Sequence, residues 1–128
     1  MAESKSDFFE VPKEDHLLQS EHFFVIKDKF PVSPGHCLIV SREHRSDYFE
    51  LSETERHELS DMIHRVRNWI EQKHSPGGYN LGMNCGSVAG QTVMHFHCHV
   101  IPRYSGDMEK PDGGIRHCVE GEGHYELG

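Results

Sequence analysis

Apolar and polar positions alternate without a break along His95-Phe96-His97-Cys98-His99-Val100. In a strand that period of two puts three imidazoles on one face and Phe96, Cys98 and Val100 on the other. Two earlier runs, His22-Phe23-Phe24-Val25-Ile26-Lys27-Asp28 and His36-Cys37-Leu38-Ile39-Val40-Ser41, are rich in β-branched and aromatic residues and predict strands. The link between them, Lys29 to Gly35, carries two prolines and a glycine, so the runs read as an antiparallel pair. Phe8 to Val11 could add a short strand before Pro12, and Tyr79 to Asn84 reads as a further one.

One stretch has a different period. Ser52-Glu53-Thr54-Glu55 is a capping box, and beyond it Leu59, Met62, Ile63, Val66, Trp69 and Ile70 recur at spacings of three and four. That predicts a helix of about five turns, stopped by Ser75-Pro76-Gly77-Gly78. Strands, then a helix, then strands give an α+β domain with the helix on one face of a mainly antiparallel sheet. His57, His64 and His74 fall on this helix or its end without partners and read as solvated surface histidines.

Length and charge narrow the picture. The chain has 128 residues, room for one core, and residues 1–106 read as a single domain. Met1 to Asp7 is polar and reads as loose, and residues 107–128 form a polar, glycine-rich segment. Ile115, Arg116, Val119 and Tyr125 could let part of that segment dock, over the active site or on a partner subunit. The net charge of −8 argues against nucleic-acid binding through a broad basic surface. With no apolar run behind a basic N-terminus and no span-length apolar stretch, the sequence reads as soluble and cytoplasmic. Cys37, Cys85, Cys98 and Cys118 lack metal-type spacing, and Cys37 and Cys98 read as buried thiols without a disulfide framework. The twelve histidines should shrink the net charge quickly below about pH 6.5.

Three close histidines raise the question of a metal. Neighbours two apart on a strand stand roughly 6.6 Å from each other at Cα and the outer pair roughly 13 Å, so two could share a zinc ion but three could not easily converge. The chain has no Cys-x-x-Cys, His-Glu-x-x-His or calcium-loop pattern, and no metal site is assigned. A row of solvent-facing histidines is the bland alternative. Against it stands the run Ser87 to Thr92, a small-residue loop whose backbone N–H groups and Ser, Thr and Gln side chains could cradle a phosphate. A neutral imidazole attacks phosphorus near pH 7 without special activation, and the middle one of a row has neighbours able to orient it and donate protons. His97 is therefore the natural nucleophile.

His95-Phe96-His97-Cys98-His99-Val100-Ile101 resembles the signature of the histidine triad (HIT) superfamily, His-φ-His-φ-His-φ-φ with φ apolar. Gly90-Gln91-Thr92-Val93 before it and Pro102-Arg103 after it are most similar to the fragile-histidine-triad, or dinucleoside polyphosphate hydrolase, branch. The resemblance implies a five-stranded antiparallel sheet with helices, and a homodimer whose halves share one sheet. It implies attack by His97 on an α-phosphorus to give a nucleotidyl-histidine that water then cleaves. His99 would donate to the phosphate and aid the leaving group, and His95 would hold its neighbours through a backbone carbonyl or the adjacent strand. His36 matches an additional histidine near the triad. Gln91 and Thr92, with Ser87 and Gly90 nearby, are the implied phosphate contacts. Asp28 would accept the ribose hydroxyls, Asn84 would face ribose and phosphate, and Ile26 would line the base pocket. No cofactor is implied, although a divalent cation can accompany a polyphosphate substrate. Asn84 is closer to the purine nucleoside phosphoramidase branch, and a non-catalytic nucleotide-binding adaptor is the rival outside enzymes.

Overall fold

In the computed structural model, which describes residues 7–125, five strands form one antiparallel sheet: β1 (Leu18–Gln19), β2 (Phe23–Lys27), β3 (Cys37–Ser41), β4 (Gly78–Gly82) and β5 (His97–Arg103). Their spatial order is β1-β2-β3-β5-β4, so the last strand inserts between the third and fourth. The polar stretch 1–6 and the last three residues lie outside the described part.

Alternation decides what each face of this sheet carries. Phe23, Val25, Cys37, Ile39, Cys98 and Val100 point to one side and pack with Leu59, Met62, Val66 and Ile70 of α1 (Glu53–Glu71). Phe24, Ile26, Leu38 and Val40 point to the other, where Phe8 and Val11 cover them. The predicted stripe of α1 is the buried one. Its Ser52 hydroxyl accepts from the Glu55 N–H at 3.1 Å, and the Glu55 carboxylate accepts from the Ser52 N–H at 2.7 Å. The helix closes at Glu71, four residues ahead of the expected stop, with the N–H groups of Lys73 and His74 turned back to the Ile70 carbonyl. No described helix is long and apolar enough to cross a membrane.

The N-terminal reading needs correcting. Phe8 to Val11 is not a strand: Asp7–Glu10 is a 3-10 turn closed by the Val11 N–H on the Phe8 carbonyl. A three-residue period brings Phe8 and Val11 to the same side, and both pack, partly buried, against the sheet. Burial of that pair outweighs the β propensity of its members.

The helix start also fixes the entry to β5. Burial alone would raise the Glu55 carboxyl, but the Arg45 guanidinium at 3.1 Å and the Ser52 N–H hold it below the usual carboxylate range. The Arg45 carbonyl in turn accepts from the Phe96 N–H at 2.6 Å. Capping box, Arg45 and the first residues of the histidine run thus form one connected unit. Behind β5 the Arg103 guanidinium bonds Asp107 and the Asn80 side chain, and Gly114 of the C-terminal segment lies against that same Asn80.

Candidate active site

Pairing of Val40 with His97 and of Leu38 with His99 places both imidazoles on the face away from α1, beside Ile26 and Phe24. His95 precedes the strand, which begins at His97, although its ring lies on the same side under Phe8 and Phe9. His95 is fully buried, whereas His97 and His99 are half-buried.

Hydrogen-bond partners set the proton on each ring. His97 Nδ1 lies 2.8 Å from the His95 carbonyl, which can only accept, so Nδ1 carries the hydrogen and Nε2 holds the lone pair. His95 Nε2 donates in the same way to the Ser41 carbonyl at 2.8 Å. At His36 the order is reversed: the Val32 N–H donates to Nδ1 at 3.1 Å, which leaves the hydrogen on Nε2. That Nε2–H donates to His99 Nδ1 at 2.9 Å, so the remaining His99 hydrogen is on Nε2. A backbone N–H therefore determines, two rings away, that His99 presents a donor while its neighbour His97 presents a lone pair. The loop carrying Val32 is fastened by the Ser33 hydroxyl on the Pro102 carbonyl at 2.6 Å and the Tyr104 hydroxyl on the Pro34 carbonyl at 2.7 Å.

Burial favours the neutral form of His99, His36 and His95. It pushes His99 down to about 4, with His97 and His36 adding to the effect and Asp28 opposing it. Burial likewise lowers His36 against the pull of Asp28, and lowers His95 despite its bond to Ser41.

Asp28 stands beside this chain of rings. Its Oδ1 accepts from the Phe30 N–H at 2.8 Å, and its Oδ2 lies 3.2 Å from His36 Nε2 and 3.8 Å from His99 Nδ1. Three ligand-type atoms this close resemble half of a metal site. Yet the hydrogen that Val32 confines to His36 Nε2 occupies the space between them, so the cluster is set for a hydrogen bond rather than for a cation.

The loop after β4 divides the other predicted residues. Asn84, Ser87, Gly90 and Thr92 are exposed, and Gly86 and Gly90 take φ of 99°, a backbone that favours glycine. Gln91 goes the opposite way and is 4% exposed. Its Oε1 accepts from the Gly86 N–H, and its Nε2 donates to the Ser46 and Val93 carbonyls. The structure thus gives Gln91 the role of bracing the loop that the exposed residues sit on. Ile26 is buried in the patch of Phe24, Leu38 and Val40.

Several members of the site had no signal in the sequence. Phe8 meets the His97 ring edge-on at 5.0 Å and His95 at 5.4 Å, and His44 lies 5.3 Å from His95. In the sequence Phe8-Phe9 suggests a strand and not a cover for the triad; His44 sits in a charged run with nothing to set it apart; Val32 acts through its main chain.

A model of the HIT domain matches residues 10–106. The chain belongs to the HIT domain family. Within the family it is 33% identical over 86 residues to a HIT-like protein of Mycoplasma genitalium, covering 67% of this chain and 61% of the relative. It is 32% identical over 94 residues to the asymmetrical bis(5'-nucleosyl)-tetraphosphatase of Schizosaccharomyces pombe, covering 73% and 52%. The HIT chain thus spans less than two thirds of the length of each of these relatives. A solved HIT family protein of Bacillus anthracis superposes with a TM-score of 0.69 at 34% identity, over 73% of this chain and 66% of the other.

Proposed function

We propose that this HIT protein cleaves dinucleoside polyphosphates or related nucleotides at the α-phosphate through a covalent nucleotidyl-His97. The observation that carries this reading is the pair of opposite tautomers on one face, a lone pair on His97 Nε2 next to a donor on His99 Nε2. His97 Nε2 attacks the α-phosphorus, a P–N bond forms and the P–O bond to the leaving phosphate breaks. The His95 carbonyl, bound to Nδ1–H, stabilises the positive charge that develops on the attacking ring. His99 donates from Nε2 to the phosphate or the departing oxygen and is oriented by His36. Water then breaks the P–N bond and releases the nucleoside monophosphate. Ile26, with Phe24, Phe8 and Val11 around it, would receive the base, and the free lone pairs of Asp28 the ribose hydroxyls. Asn84, Ser87, Gly90 and Thr92 would approach the phosphates, and Gln91 would hold their loop. Nothing in this sequence of steps calls on a resident cofactor, and a divalent cation would arrive with a polyphosphate substrate.

Support for the substrate class comes from the tetraphosphatase among the relatives. The homodimer proposed with it would use β4, an edge strand with Leu81 exposed on it and Met83 exposed just beyond its end; sedimentation showing a monomer at micromolar concentration would reject it. Incubation with diadenosine tetraphosphate followed by a neutral quench should add one adenylate to the intact mass, mapped to His97. Turnover of an adenosine phosphoramidate alone, with no cleavage of the polyphosphate, would assign the phosphoramidase reading instead.

A further inference from the structure

Between the 28–36 loop and the end of α1 a cavity of about 310 Å³ opens, with Asp28 and His36 on the part of its lining nearest the triad and Trp69 and Lys73 on the part formed by the helix end. Its position follows from the strand period. Phe23 and Val25 of β2 face α1, so Lys27 does too, and Trp69 packs against that same core. Pro31, Pro34 and Trp69 form apolar walls, while Lys27, Lys73 and His74 bring nitrogen to the lining. The Lys73 ammonium lies 5.2 Å from the Trp69 ring centroid.

Charge makes this place unusual. In a chain of net charge −8, neither Lys27 nor Lys73 forms an ion pair among the described residues. The carboxylate on the lining, Asp28, is already engaged by the Phe30 N–H and His36. The end of α1 accounts for one cation there, since carbonyl groups left unpaired at a helix C-terminus attract positive charge. It does not account for a second cation from β2 facing the same space.

We infer that this cavity, which adjoins the triad through Asp28 and His36 but is not lined by His95, His97 or His99, is a second binding site for a small aromatic ring bearing a phosphate. The ring would lie against Trp69 between the prolines, and the anion would sit between Lys27 and Lys73. The volume is at the small end of ligand pockets, about 300 Å³ and upward, enough for one ring and its phosphate and too small for a dinucleotide.

Trp69 is the only tryptophan, so its fluorescence reports on this cavity directly. Titrating the intact protein with phenyl phosphate should give a saturable change in that emission, and inorganic phosphate a weaker one. His97→Ala should leave the titration unchanged. Lys27→Ala combined with Lys73→Ala should raise the half-saturation concentration about a hundredfold, since each charged contact contributes on the order of a tenfold factor. Both lysines are exposed, so the double variant should fold, which its circular dichroism would verify. Absence of saturation, equal affinity in the lysine variant, or loss of the signal in His97→Ala would each overturn the proposal. Because the readout needs no turnover, its failure would leave the proposed cleavage reaction untouched.

Discussion

The two faces of the sheet are made by the same strands yet obey different rules. Towards α1, residues of β2, β3 and β5 and of the helix close into one apolar layer in which Phe23, Ile39, Val66 and Ile70 have no exposure. Away from α1 the apolar patch is four residues with a cover of Phe8 and Val11, and it gives way to imidazoles that are half-buried. One face is held by the amount of surface it hides. The other is held by where hydrogens sit, so a side chain there can be removed at little cost to folding and great cost to chemistry.

His97→Ala should separate the faces most sharply. Turnover should fall by about 10³ to 10⁶, the range for loss of a nucleophile, while the thermal midpoint stays close to that of the wild type. A comparable fall in midpoint would mean that His97 is part of what holds the fold. Ile39→Ala should do the reverse, costing about 2–5 kcal/mol of stability in chemical denaturation with kcat per folded molecule nearly intact. Preserved stability in that variant would place the core elsewhere.

Acid should act on the site face first. His99 titrates near 4 when folded, below its ordinary 6.5, so the unfolded chain binds the proton that the folded chain refuses. Stability from this ring is complete above about pH 6.5 and falls as the pH drops towards 4, by up to about 1.4 kcal/mol per unit. His36 and His95 are lowered too and add in the same direction. His22, raised by its bond to Glu58, works in the opposite sense: its contribution is full below 6.5 and fades as the pH climbs through its raised value. Urea midpoints at pH 5 and 7.5 should therefore differ, and His99→Gln should reduce the difference; an unchanged slope would remove His99 as its source. The smallest effect belongs to Ser52→Ala, about 1 kcal/mol for a lost cap, read as a small shift of the urea midpoint with activity retained.

How much of this could be read from the chain depends on how local the cause is. The capping box and the stripe from Leu59 to Ile70 are decided within a turn or two, and the helix follows them. The hairpin of β2 and β3 is set by its proline-containing link, and the alternation after His95 fixes the two faces. Insertion of β5 between β3 and β4 depends on partners far away in sequence, so no window of residues contains it. Phe8 to Val11 failed because the reading weighed propensity and the structure weighs what Phe8 and Val11 can cover. At Gln91 the difficulty is another: an amide offers the same donors to a ligand or to its own loop, and only the positions of Gly86, Ser46 and Val93 show the bonds it makes within the loop. The hydrogen on His36 was least visible of all, because a main-chain N–H bears no residue identity.

That last point reaches into how the chain can vary. The contact from position 32 to His36 uses a group shared by nineteen of the twenty amino acids, so the valine there can drift among side chains of many shapes without disturbing the rings downstream. Proline is the exception, for it alone arrives without that hydrogen, and it already flanks the position at 31 and, one residue further on, at 34.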